Sequence, residues 1–359
     1  MASKKDPVAR GRRKALWKKA FFTVATVSIA LLVVGVGFEA ALRLGVVENP
    51  LFERYGRQAS IEEAGRRLLI VGDSFMRPSK TLGKRLADEL SARGVAVRNV
   101  SVSGTGPFEY LDEVRANGRS FRPHAVLLGY YVGNDLTNVQ HHPRFVGRDD
   151  TTDDPGLGIN YNSSPRFFRN LYSYQYLLRR VQRVSSVFFD FDLVAATGVS
   201  EELIEAAKRR EINPWLLRLA AARPRHLLDN VLMETDENMR AWFKVRELIQ
   251  DIERECREVG AQLVVAVFPR SIQVNRSLFE FHRGLGFELD ERSLEEAKPQ
   301  ALLTDLCREL EVHCLDLLPV FRSRRDEELY LSRDDHLNET GNELVADLIL
   351  SFLTENAVL

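Results

Sequence analysis

Leu68-Leu-Ile-Val-Gly-Asp-Ser74-Phe75 is the stretch from which the rest of the chain can be read. An apolar run stopped by Gly72-Asp73-Ser74 fits a strand buried on both faces of a parallel sheet. Beyond it, Leu82, Leu86 and Leu90 form one apolar stripe of a helix ending near Gly94. Ser74 therefore stands where a strand hands over to a helix. In open α/β sheets, ligands bind outside that carboxyl edge. An ordinary βα turn also uses Ser, Gly and Asp, so this stretch alone leaves both readings open.

Later stretches repeat the pattern. A second strand, Val95–Val100, runs into Asn99-Val-Ser-Val-Ser-Gly104-Thr-Gly106. A helix over Phe108–Asn117 and a third strand, Ala125–Tyr131, lead to Gly133-Asn134-Asp135. This β-α-β-α-β order at short spacing predicts a parallel sheet with right-handed crossovers. After a long helix at about Glu237–Glu258 come a fourth strand, Gln262–Pro269, and a short fifth, Val312–Asp316. Asp334-Asp335-His336-Leu-Asn338 then precedes a last helix, which Asn338 caps and whose Leu344, Val345, Leu348, Ile349 and Phe352 share a face.

Ser74, Gly104, Asn134 and His336, in that order and with three of them after strands, resemble the SGNH/GDSL hydrolase superfamily. The resemblance covers roughly residues 66–140 and 245–355. It implies a flavodoxin-like three-layer α/β/α sandwich with a five-stranded parallel sheet, and serine-dependent ester chemistry without metal or organic cofactor. Acyl transfer needs a nucleophile, a base, a group that orients the base, and donors for the oxyanion. Ser74 is the candidate nucleophile. His336 is the candidate base, the one histidine set just before a helix at the sheet's active edge. The oxyanion donors that the resemblance implies are the backbone N–H groups of Ser74 and Gly104 and the side-chain amide of Asn134.

The orienting carboxylate departs from the common pattern. In much of the superfamily it lies three residues before the histidine, where this chain has Arg333. Asp334, two before, resembles the Asp-x-His arrangement of the branch related to alginate and exopolysaccharide O-acetylation proteins. Asp335 is the alternative, but in an extended segment its side chain points away from that of His336. Asp73 and Asp135 read as turn-forming residues. His124, His226, His282 and His313 have no adjacent carboxylate pattern and read as structural, and His141-His142 reads as a solvated pair in a polar loop.

The chain of 359 residues carries 50 Lys and Arg against 51 Asp and Glu, unevenly spread. Eight of the 50 and one of the 51 lie in residues 1–19, leaving 42 basic against 50 acidic residues in the rest. An acidic body argues against a nucleic-acid partner. Cys256, Cys307 and Cys314 do not make a disulfide framework. Cys307 and Cys314 are close enough in sequence to pair across a helix-to-strand turn or to remain reduced. No Cys/His spacing resembles a zinc site.

Ala20 to Phe38 is a run of 19 residues without a charge, near the length that spans a bilayer's hydrocarbon. Residues 20–42 are thus expected to be a transmembrane anchor, with a basic tail, 1–19, held in the cytoplasm by the positive-inside rule. A cleaved signal peptide is the competing reading. After a linker over 43–65, residues 66–359 form the hydrolase-like domain on the far side, in a bacterial inner membrane facing the periplasm. Residues from about 141 to 235 interrupt the alternating pattern and read as a mainly helical insertion. In it, Tyr172, Tyr174 and Tyr176 could face a sugar or simply pack, and Phe188, Phe189 and Phe191 are open to either core or membrane.

The substrate class that the resemblance implies is an acylated carbohydrate or another small ester. Two rivals stand beside an esterase. An O-acyltransferase would use the same residues and exclude water from the acyl-enzyme. A non-catalytic scaffold in envelope polysaccharide assembly would keep the fold without the constellation.

Overall fold

The computed structural model describes residues 33–41, 65–78, 81–146 and 198–359. These fall in two separate units, residues 33–41 in one and the remainder in the other. Residues 33–41 are helical. Among the described residues, no helix is long and apolar enough to cross a membrane. Most of the expected anchor, all of the linker up to residue 64, and the Tyr172–Tyr176 and Phe188–Phe191 stretches lie outside the described residues.

The larger unit is built on five parallel strands, β1 (Arg66–Gly72), β2 (Val95–Asn99), β3 (Ala125–Tyr131), β4 (Gln262–Phe268) and β5 (His313–Asp316). Their order across the sheet is β2-β1-β3-β4-β5. The chain steps from β1 to β2 on one side and returns to place β3 on the other. The crevice at that reversal is where α/β sheets of this order bind ligands. The strands read as continuous apolar runs because both faces are covered. Along β1, Leu68 and Ile70 enter one core while Leu69 and Val71 enter the other.

The helices sort onto the two faces accordingly. The helix α1 (Thr81–Ala92) buries Leu82, Leu86 and Leu90 beside the last helix, Glu339–Glu355, in one core. The opposite core holds α2 (Pro107–Phe121) and the long helix Asp236–Glu258, which buries Ala241, Trp242, Val245, Leu248, Ile249 and Ile252 at helical spacing. The helix Lys298–Glu309 joins that second face through Leu303 and Leu306. This is the expected α/β/α sandwich. From residue 198 on, the described part of the insertion holds three short helices, Glu201–Lys208, Pro214–Ala222 and His226–Leu232. Ser200 and Asn213 cap the first two with their side-chain oxygens.

One local expectation needs correction. His142 is not solvated: it is buried, stacked on Phe108 with ring centroids 4.2 Å apart, and its Nε2 lies 3.0 Å from Glu109 Oε1. Its Nδ1 accepts the Arg144 N–H, so Nε2 carries the proton donated to Glu109. Glu109 also reaches back to the Gly106 N–H at 3.0 Å, an N-terminal cap of α2 that brings a carboxylate to where the histidine must go. His282 is buried, in keeping with a structural role, with Nε2 2.9 Å from Asp335 Oδ1, a carboxylate from another part of the chain. The cysteines are all free thiols.

Candidate active site

Ser74, Asn134, Asp334 and His336 come together at the carboxyl edge of β1 and β3. Ser74 follows β1 by two positions. The turn that carries it is fixed from three sides. The buried Asp73 carboxylate accepts the Phe75 N–H at 3.0 Å, and Asn99 donates to the Met76 carbonyl at 2.7 Å. From the loop after β2, the Val102 N–H reaches the Gly72 carbonyl at 3.1 Å. Gly104 lies two residues further on with φ +76°, a left-handed conformation that suits glycine.

His336 Nε2 stands 2.9 Å from Ser74 Oγ, and His336 Nδ1 stands 3.0 Å from Asp334 Oδ1. An ionised carboxylate can only accept, so Nδ1 donates to Asp334 and leaves the Nε2 lone pair for the serine proton. The imidazole also stacks on Phe75, at 5.3 Å between centroids. Burial would raise the Asp334 carboxyl, but the hydrogen bond and charge of His336 outweigh it and hold the acid below its ordinary value.

The loop geometry explains why Asp334 and not Asp335 takes this place. Residues 329–338 double back on themselves: Leu331 N–H donates to His336 O at 2.9 Å and Asn338 N–H to Leu329 O at 3.1 Å. The tip between these bonds, residues 332–336, is turn and bend. There Asp334 Oδ1 accepts the Asp335 N–H at 2.7 Å and lies against His336 Nδ1, while the Asp335 side chain is buried beneath the site. Asn338 closes the loop by accepting the Gly341 N–H at 2.9 Å and capping the last helix.

Asn134 stands at the N-cap position of a short helix, α3 (Asp135–Gln140), but its side chain makes no cap bond; instead its Nδ2 donates to Asp73 Oδ2 at 3.2 Å. That bond orients the amide, and one of its two N–H groups remains uncommitted to Asp73. Burial raises the Asp73 carboxyl, and the Phe75 N–H, His336 and Asn134 only partly offset this. Asp135 is also fully buried and is raised further, by burial and then by Asp73, while Tyr110 Oη–H donates to it at 2.9 Å and the Tyr131 N–H at 3.0 Å. It is a structural acid of the β3 turn, as its position in the sequence implies.

What the sequence did not reveal is a buried ionic cluster under the site. Arg270, Ser271 and His282 all converge on Asp335. Arg270 and Ser271 follow β4, so a polar pair directly after Phe268-Pro269 was the available signal: it sits on the same sheet edge as Ser74 and Asn134. Gly133 is wedged between the Tyr131 ring and the Arg270 guanidinium, and a Cβ there would overlap both. Gly133→Ala is therefore expected to destabilise the fold by about 1–3 kcal/mol, as overpacked sites do. Urea unfolding of the variant beside wild type measures it.

Among the described residues, no group of three or more His, Cys, Asp or Glu side chains could hold a metal ion. No protein-family model matches the chain, and no curated protein matches it. Solved structures do. An acetylxylan esterase from Geobacillus stearothermophilus matches at 11% identity and TM-score 0.41, over 81% of this chain and 94% of that one. The acetyl xylan esterase AlAXEase matches at 11% and 0.40, over 79% and 98%. A lipase/acylhydrolase from Enterococcus faecalis matches at 12% and 0.39, over 81% and 96%.

Proposed function

We propose that this chain is a serine-dependent ester hydrolase of the SGNH type. The observation that carries the reading is the unbroken line Ser74 Oγ, His336 Nε2, His336 Nδ1, Asp334 Oδ1, with links of 2.9 and 3.0 Å. Ser74 Oγ attacks an acyl carbonyl as His336 takes its proton. The N–H groups of Ser74 and Gly104 and the Asn134 amide receive the oxyanion. His336 returns the proton to the leaving alkoxide. The acyl-serine is then released to water, with His336 again the base and Asp334 stabilising the imidazolium. The substrate class is an O-acylated carbohydrate, with acetyl the group to test first, on the strength of the motif resemblance. Incubating the purified chain with p-nitrophenyl acetate, with and without an oligosaccharide acceptor, tests this. Acetate release unchanged by the acceptor is expected. Acetyl transfer to the sugar at the expense of acetate would favour the O-acyltransferase, and no turnover of any ester would favour the scaffold.

In this reading residues 20–42 anchor the protein in a bacterial inner membrane, with the catalytic body in the periplasm. The eight basic residues before Ala20 and the charge-free run that follows support that orientation. A C-terminal alkaline phosphatase fusion is expected to be active and a C-terminal green fluorescent protein fusion dark. The reverse pattern would invert the topology.

A further inference from the structure

We propose that Arg270 and Asp335 are positioning residues that lock the oxyanion donor Asn134 and the base His336 into one frame; this rests on the ester-chemistry reading above. Three loops carry the machinery: one after β3 with Gly133 and Asn134, one after β4 with Arg270 and Ser271, and the doubled-back loop with Asp334 and His336. A single guanidinium joins all three. Arg270, from the β4 loop, donates to Asp335 Oδ2 and, through Nη1, to the Gly133 carbonyl at 3.2 Å. Its charge lies over the Tyr131 ring, 5.6 Å from the centroid. Asp335 Oδ1 accepts the Ser271 hydroxyl at 2.7 Å and has His282 Nε2 at 2.9 Å. The Tyr330 hydroxyl adds a bond to the Pro269 carbonyl at 3.0 Å, tying the base of the doubled-back loop to the β4 loop.

The side chains of Arg270 and Asp335 are only 4% and 7% exposed. Burying such a pair costs solvation that apolar residues of equal volume would not, so stability alone is a weak reason for it. Direction is a better one. Asp335 stands between Asp334 and His336 in the turn of the doubled-back loop, and its N–H donates to Asp334 Oδ1 at 2.7 Å. Holding its carboxylate on Arg270 and Ser271 therefore fixes the backbone that carries both Asp334 and His336. The second Arg270 bond lands on the residue before Asn134, so the donor and the base are set from one anchor. A misplacement of about 1 Å in such a constellation can cost roughly 10²-fold in rate.

The experiment uses the full-length chain. Asp335→Asn keeps the shape and removes the charge, Arg270→Gln removes the cation, and Arg270→Lys restores it. Ile252→Val, in the fully buried core of the long helix, is the control for lost stability without lost positioning. Steady-state kinetics on p-nitrophenyl acetate, normalised to sites titrated with a fluorophosphonate, give kcat and KM. The Nδ1 proton of His336, followed by NMR in histidine-labelled protein, reports the bond to Asp334 without turnover. Asp335→Asn and Arg270→Gln are expected to lower kcat roughly 10- to 100-fold with KM within about threefold, Arg270→Lys to recover part of the loss, and Ile252→Val to keep its kcat. The Nδ1 proton signal should be present in wild type and lost in Asp335→Asn. Folded Arg270 and Asp335 variants with wild-type kcat per site would overturn the proposal. If Asp335→Asn does not fold, the split between Arg270→Gln and Arg270→Lys decides. If wild type itself neither turns over esters nor reacts with the probe, the ester reading fails, and the Nδ1 signal alone judges the positioning: its survival in Asp335→Asn refutes it, its loss supports it.

Discussion

Ser74→Ala lowers kcat on an activated acetyl ester by roughly 10⁴-fold or more, with little change in fold stability. The size follows from what the hydroxyl does. Ser74 Oγ is the atom 2.9 Å from an imidazole nitrogen at the sheet's switch point. Without it no acyl-enzyme forms, and water must attack unaided. Donors still stabilise the oxyanion, so a residual rate roughly 10³–10⁴-fold above that in water is expected. The small stability effect follows from the surroundings. The hydroxyl is only half-buried, and its other neighbour, Asp73 Oδ2, is 3.4 Å away and keeps its bond from Asn134. Kinetics and a thermal melt on the same preparation check both halves.

His336→Ala is expected to cost at least ~10³-fold in kcat, and Asp334→Ala less, on the same substrate. A neutral serine is a poor nucleophile, and the described structure places no second base beside Ser74: Asp73 Oδ2 is near, but it is engaged by Asn134. Removing Asp334 leaves the base in place and frees its tautomer and ring orientation. Phe75 still stacks on the ring, which preserves part of the alignment. Asp335 can also be expected to matter, by a different route: its carboxylate touches Arg270, Ser271 and His282 and not His336. Asp334→Asn should therefore be more damaging than Asp335→Asn per titrated site. The opposite ranking in folded protein would reassign the acid.

The sheet was legible because parallel strands covered on both faces leave unbroken apolar runs, as in Leu68–Val71, Ala125–Tyr131 and Gln262–Phe268. The edge strand β5 is short and only half-buried, and its signal is correspondingly thin. Ser74 and His336 could be picked out because each stands where an apolar run or a helix begins or stops, while Asn134 and Gly104 were picked out by the motif resemblance. The preference for Asp334 over Asp335 rests on assuming an extended segment, but residues 332–336 are turn and bend, and it is the bonds of Asp334 within its own loop that part the two carboxylates. The Arg270–Asp335 pair spans 65 positions, and His142–Glu109 spans 33. Charges that meet only through the fold leave no period in the sequence. A histidine whose carboxylate comes from another element, such as His282, looks unaccompanied until the chain is folded. Residues 20–32, which hold most of the charge-free run, lie outside the described structure, and the anchor stands on charge and hydropathy alone.

Everything turns on one atom being an activated nucleophile. The most direct measurement is to treat the protein with a fluorophosphonate, digest it and locate the adduct by mass spectrometry. One adduct is predicted, on the peptide carrying Ser74, absent from Ser74→Ala and greatly slowed in His336→Ala. An unmodified protein, or an adduct on another residue that persists in Ser74→Ala, would contradict a serine-dependent hydrolase centred on Ser74.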